Sequence, residues 1–252
     1  GALLAGHLSR VRHLAFSFNF TDLPAGLQRT VMTRAFRRIE RFVVYSNLEK
    51  DLYARFFDLP PERFDMIHWG VQCPTVKSDV PPLEAGHYIC AIGSQARDYP
   101  TLLAAMNRLR GLRLVIVANA GQLAGLEIPP NVTVHTNIPL NDAINILNYS
   151  RFMVLPLRDN VVPCGHVTIV SAMHLGKAIV ATGSAGLLDY LQPGVNGYAC
   201  EARDAGALAH AIRDLYESPE TAVRLGRAGQ LFAREYCVEE RVVEYFQRFL
   251  AS

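Results

Sequence analysis

The sequence predicts an α/β protein built on parallel sheets with helices on both faces, and three observations carry that prediction. Short, nearly continuous apolar runs alternate with amphipathic stretches along most of the chain. Parallel strands buried on both faces read this way, whereas one-sided antiparallel strands alternate polar and apolar residues. The intervals between the runs are long enough for the crossovers that parallel pairing requires. Half of the 252 residues are hydrophobic, enough to fill one large core or two modest ones.

In chain order, HLAFSFNF (13–20) is an aromatic, β-rich run, and TDLP breaks it before a basic helix expected over 27–38. RFVVYS (41–46) reads as a buried strand. Ser46 then N-caps a helix over NLEKDLYARFF, and Glu49, three residues on, completes a capping box. A third strand, RFDMIHWGV (63–71), follows Pro60 and Pro61. Residues 72–86 hold Pro74, Pro81 and Pro82 among polar residues with no apolar periodicity, the composition of a linker. The expected division is a first domain with the linker over 1–80, a second over 81–240 and a last helix over 241–252. The second domain begins with HYICAIG and a helix over 100–109, followed by LRLVIVA. NVTVHTNI with a helix over 141–148 comes next, then RFMVLPL leading to VTIVSAMHLG. KAIVAT precedes a helix near 186–191, and NGYAC precedes helices to the end.

Composition excludes several classes. The formal net charge is +2, from 25 Lys and Arg against 23 Asp and Glu, so no strong field favours nucleic acid. Five cysteines, at 73, 90, 164, 200 and 237, stand singly without CxxC spacing, which points to a reducing cytoplasm. No apolar run approaches the roughly 20 residues needed to span a bilayer, and the N-terminus lacks a signal-peptide pattern. The start at Gly1, without methionine and within what reads as a helix or loop, suggests a piece of a longer chain. Eight histidines form no HxxxH pair and there is no Asp-x-Asp, so no metal site is expected. Ser17, Ser46 and Ser171 lack a GxSxG context, and no GxGxxG follows a strand.

Ligands of open parallel sheets sit at the carboxyl ends of strands, which directs attention to four loops. GSQARDYP (93–100) follows YICAI. Gly93 lets backbone approach a ligand, Ser94 lies beside it and Arg97 offers bidentate hydrogen bonds to phosphate. A lone Gly with an Arg is a weak motif, and an ordinary turn with Arg97 in solvent accounts for it better. PCGHVT (163–168) leads into a helix, where Gly165 exposes amides and the dipole favours an anion such as diphosphate. There His166 caps or packs as readily as it binds, and Val167, Thr168 and Ser171 face either the ligand or the helix itself. HTNIP (135–139) brings His135, Asn137 and Ile138 to where backbone groups read a base, or forms a plain loop. TGSAG (182–186) is a small-residue turn that allows close approach of a substrate or of backbone.

GHVTIVSAMHLGKAIVAT (165–182) resembles the signature of family 4 glycosyltransferases of the GT-B fold, Gly-x-x-x-x-x-Glu-Ala-Met-x-x-Gly-Lys-Pro-Val-Val-Ala-Thr. Further segments are similar to that family: RFDMIHWGV to its hinge strand, ICAIGSQARDYPTLLAA to the first donor-domain loop and helix, and DYLQPGVNGY to the segment after the signature. EYCVEERVVEYFQRFL is similar to the terminal helices, the last of which crosses back to the acceptor domain in that fold. The resemblance implies a Rossmann-like doubly wound donor domain plus part of a second Rossmann-like, acceptor-binding domain. It implies transfer of a sugar from a nucleotide diphosphate donor, a UDP- or GDP-sugar, with retention and with neither metal nor separate cofactor. Arg97 and His166 would be catalytic, with Gly93, Ser94, His135, Asn137, Ile138, Gly165, Val167, Thr168 and Ser171 holding the donor. The family places two glutamates eight positions apart, for the sugar and the ribose, where this chain has Pro163 and Ser171. Its first donor loop is also shorter than usual and lacks the arginine that often follows the glycine. Either Asp159, Asn160 or His166 takes over the sugar contacts, or the chain is an inactive relative; a nucleotide-sugar 2-epimerase on the same fold is a further alternative. Partners would be a nucleotide sugar and an acceptor, without nucleic acid. Arg29, Arg34, Arg37, Arg38 and Arg41 suggest weak peripheral contact with the inner face of a membrane by an otherwise cytoplasmic protein.

Overall fold

Two local patterns build the first of two units, Gly1–His68. The computed structural model describes residues 12–16, 20, 22–75, 80–159, 161 and 163–251. Within it, strands β1 (Leu14–Ala15), β2 (Arg41–Val44) and β3 (Phe64–Met66) form a parallel sheet in that order, with Phe42 opposite Phe64. Helices α1 (Gly26–Phe36) and α2 (Asn47–Phe56) connect them. Phe42, Val44, Tyr53, Phe57 and Phe64 make the buried cluster. The expected capping box is present: the Glu49 amide donates to Ser46 Oγ at 3.2 Å, and the Glu49 carboxyl accepts the Tyr45 amide and the Ser46 hydroxyl, each at 3.0 Å. Glu49 is fully buried, and burial pushes its pKa up to about 7 despite these donors. By contrast α1 buries none of its residues. Of the expected strand over 13–20, residues 17–19 lie outside the described residues, as do Asn160 and Gly1.

The second unit, Trp69–Ser252, holds a six-stranded, wholly parallel sheet. Its strands are β4 (Ile89–Ile92), β5 (Leu114–Ala118), β6 (Val132–Thr136), β7 (Met153–Leu155), β8 (Ile179–Thr182) and β9 (Tyr198–Cys200). Their spatial order is β6-β5-β4-β7-β8-β9. The helices are α3 (Tyr99–Asn107), α4 (Leu140–Tyr149), α5 (His166–His174), α6 (Ala205–Glu217), α7 (Pro219–Tyr236) and α8 (Glu239–Ala251). Alternate residues of each strand feed two cores. Cys90, Val115, Met153, Leu155 and Ile179 meet Ile146, Ile169 and Met173 on one face. Ile89, Ala91, Ile116, Val154 and Val180 meet Leu102, Met106, Leu208 and Ile212 on the other. Both faces are covered, which explains the unbroken apolar runs.

One expected helix is absent. Residues 185–190 are a run of turns in which Leu187 donates to Ser184 and Tyr190 to Leu187. Asn196 ends the run, its Nδ2 donating to Tyr190 O at 2.9 Å and its Oδ1 accepting the Gln192 amide at 2.8 Å, so the backbone is satisfied without helical pairing. All five cysteines are free, and burial pushes the Cys90 and Cys237 thiols up to about 12, as expected of packing residues. Among the described residues, no helix is long and apolar enough to cross a membrane.

Candidate functional site

The strand order reverses between β4 and β7: from β4 the chain winds through β5 to β6, and from β7 it winds the other way through β8 to β9. A doubly wound sheet opens a crevice at the carboxyl ends of the two strands flanking such a reversal. Gly93 and Arg97 follow β4, and Gly165, His166, Val167, Thr168 and Ser171 follow β7. The crossover logic alone therefore brings the two strongest sequence loops to one place.

Arg97 is not the solvated residue of an ordinary turn. It is 8% exposed, and its guanidinium donates to the carbonyl oxygens of Ile92 (3.3 Å) and Gln95 (2.8 Å) and to Thr168 Oγ1 (3.0 Å). Among the described residues no carboxylate pairs with it. Burial pushes its pKa below the ordinary arginine value. Gly93 makes room for it, since a Cβ there would meet Arg97 Nη2 at 2.5 Å, and Gly93 has φ +112°. The backbone on either side is pinned: Arg158 N donates to Ala96 O at 3.0 Å and Asp98 N to Pro156 O at 3.1 Å, tying the ends of β4 and β7. Thr182 extends this lattice from β8, its hydroxyl accepting the Leu157 amide at 2.8 Å and donating to Leu157 O at 3.2 Å.

Across from Arg97, α5 starts at Gly165, whose φ of +102° turns the chain from the β7 loop into the helix. The first helical hydrogen bond runs from Ile169 N to Gly165 O (2.9 Å), no side chain caps the start and no acidic residue lies in the first turn. The amides of Val167 and Thr168 thus carry the positive end of the helix dipole, with Thr168 joined to the Arg97 guanidinium. Among the described residues, then, a buried cation with no paired carboxylate lies beside an open helix start, an arrangement whose chemistry can accept an anion with several oxygens.

The other predicted residues divide. His166 is buried, with Nε2 at 2.8 Å from Gly186 O and its ring beside Tyr190, so the ring fastens the turn after β8 to the start of α5. Val167 is half exposed, and the Ser171 hydroxyl donates to Val167 O at 2.8 Å. Ser94 Oγ accepts the Asn119 amide at 2.8 Å, and Asn137, with φ +54°, donates its amide to Ala118 O. Ile138 packs against the core. The structure does not bring the His135 side chain to the crevice: Nε2 lies 2.5 Å from Glu84 Oε1, on the sheet face shared with Thr133. Burial works against the charged form of Glu84, yet the hydrogen bonds from His135 and Arg113 hold its carboxyl below the ordinary range. Lys177 of the signature also serves the scaffold, its Nζ donating to Ser150 O at 2.9 Å. Thr182, the last residue of the signature, was legible only as part of a small-residue turn. Among the described residues no group of three His, Cys, Asp or Glu is arranged to hold a metal.

The sequence model of the family described as "Glycosyl transferases group 1" matches residues 86–218. No curated protein matches the chain. Among solved structures, HepE of Anabaena in complex with UDP and glucose is 18% identical with a TM-score of 0.81, over 99% of this chain and 74% of that one. A glycosyltransferase from Rickettsia africae is 15% identical (TM-score 0.79; 98% and 72% covered). Sucrose-phosphate synthase from Thermosynechococcus elongatus is 19% identical (TM-score 0.76; 98% and 70%). These likenesses show the GT-B fold, with its Rossmann-like parallel sheets.

Proposed function

The chain belongs to the group 1 glycosyltransferases, and from that membership we propose that its crevice seats a nucleotide diphosphate sugar for transfer, with retention of configuration, to a hydroxyl acceptor. The observation that carries the reading is the buried Arg97, paired with no carboxylate among the described residues and joined through Thr168 to the open start of α5. When the bond from the anomeric carbon to diphosphate breaks, the electron pair stays on the diphosphate oxygen. Arg97 and the α5 amides meet that growing charge with dipoles already in place. HepE, which shares the fold, was crystallised with UDP and with UDP-glucose, and this makes UDP-sugars the first donors to try, ahead of GDP-sugars.

Calorimetric titration with UDP-, GDP- and ADP-sugars tests the reading. At least one should bind, and Arg97→Ala should weaken it about tenfold to a hundredfold, the worth of a charge-assisted contact. Silence across the panel would remove the proposal. Pro163 and Ser171, where the family carries glutamates, support a second reading in which donor binds without transfer; product formation by the full-length protein would dispose of it. For the acceptor side we propose weak contact of α1 with anionic lipid, supported by the exposed Leu27 and Val31 beside Arg34. Of the five arginines, Arg29 donates to Phe56 O, Arg37 pairs with Asp58 and Arg41 pairs with Asp65. Absence of co-sedimentation with anionic liposomes at low salt would rule the contact out.

A further inference from the structure

We infer that Arg203 is a positioning residue for the crevice: it clasps the loop between β7 and α5 from outside and so sets nucleotide affinity. The inference rests on the reading of the crevice as a nucleotide-sugar seat. Among the described residues of the second unit, three non-glycine residues have positive φ: Ala96, Asn137 and Arg203, at +55°, +54° and +61°. Each lies just beyond the carboxyl end of a strand, β4, β6 or β9, and the first two belong to loops already described. L-residues avoid this conformation, and such backbone gathers at ligand-binding loops.

The backbone at Arg203 turns, at φ +61°, just before a helix cap. Asp204 caps α6 by accepting the amides of Gly206 and Ala207, each at 2.8 Å. Glycine would meet that demand without cost. The arginine adds a side chain that is exposed, and core packing does not hold it there. It adds one directed contact instead, from Nε to Arg158 O at 3.2 Å, across 45 positions of sequence. Arg158 opens the loop that runs to Gly165. Its amide is already fixed on Ala96 O, next to Arg97, at 3.0 Å. The residue is thereby held on both sides, by the Arg97 segment at its amide and by Arg203 at its carbonyl, and these two bonds set the direction in which the loop leaves β7.

Arg203→Gly separates positioning from stability, because it removes the guanidinium and the backbone strain together. The expected result has three parts: a thermal midpoint unchanged or raised, hydrogen exchange of the Arg158 amide accelerated while the strands stay protected, and UDP affinity reduced about threefold to tenfold, the worth of one hydrogen bond. Arg203→Met keeps most of the side chain's length but has no donor to place, and it should retain both the fast exchange and the weak binding. Unchanged exchange of the Arg158 amide in the glycine variant would overturn the inference, as would fast exchange with UDP affinity intact. Restoration of affinity by methionine would overturn it too, since no hydrogen bond would then be needed. A wild-type chain that binds no nucleotide would refute the donor-site reading and this inference together, whereas normal wild-type binding with unchanged exchange in the variant would refute this inference alone.

Discussion

Glu49 and Arg97 are both buried ionisable side chains, and their surroundings separate scaffold from site. Glu49 is satisfied by its own turn, through Tyr45, Ser46 and Tyr53. Its pKa in the folded chain, about 7, lies above the ordinary 4.5, so between those values the folded chain keeps a proton that the unfolded chain has released. Stability from this group is complete below about pH 4.5 and falls as pH rises toward 7, by on the order of 3 kcal/mol. Glu49→Gln should flatten that fall in urea unfolding measured at pH 5 and pH 8; an unchanged pH slope would place the sensitivity elsewhere. Arg97 instead leans on carbonyls and a hydroxyl, with no carboxylate partner among the described residues. The capping box was legible in the sequence because its members lie within four residues. The burial of Arg97 was not, because Thr168 stands 71 positions away, and the capture of His135 by Glu84 spans 51 positions.

At the scale of elements, period and punctuation gave the strands and most helices, since apolar runs and caps are local signals. The turns at 185–190 escaped because Asn196, beyond Pro193, ends them from outside. The reversal of strand order between β4 and β7 is likewise a property of packing, and no run of residues states it. Gly165 is where element geometry and chemistry meet. Alanine there would carry a Cβ at φ +102° and press it against Leu155 Cδ2 at 3.0 Å. Gly165→Ala should cost roughly 1–2 kcal/mol of stability from the backbone alone. It should also weaken UDP binding by tilting the start of α5. A variant of unchanged melting temperature and unchanged affinity would show that the turn tolerates a side chain.

For the whole molecule, two units with separate cores predict more than one unfolding event. Scanning calorimetry with UDP at about 100 times its dissociation constant should raise the transition of the second unit by about 2.7 kcal/mol and leave that of the first in place. A uniform shift of a single transition would show instead that the units melt as one. The proline-rich stretch 72–86 read as the linker, whereas the two compact units divide earlier, between His68 and Trp69, because contact density is a property of three dimensions. The anchorage of Arg97 on neutral oxygens has a kinetic sequel. On the proposed reading, an arriving diphosphate would meet no carboxylate to displace among the described residues, and the spent nucleotide would carry the same diphosphate after the sugar had gone. If the proposed donor reading holds, product would compete for the berth that substrate needs, and turnover would depend on how quickly the crevice is vacated.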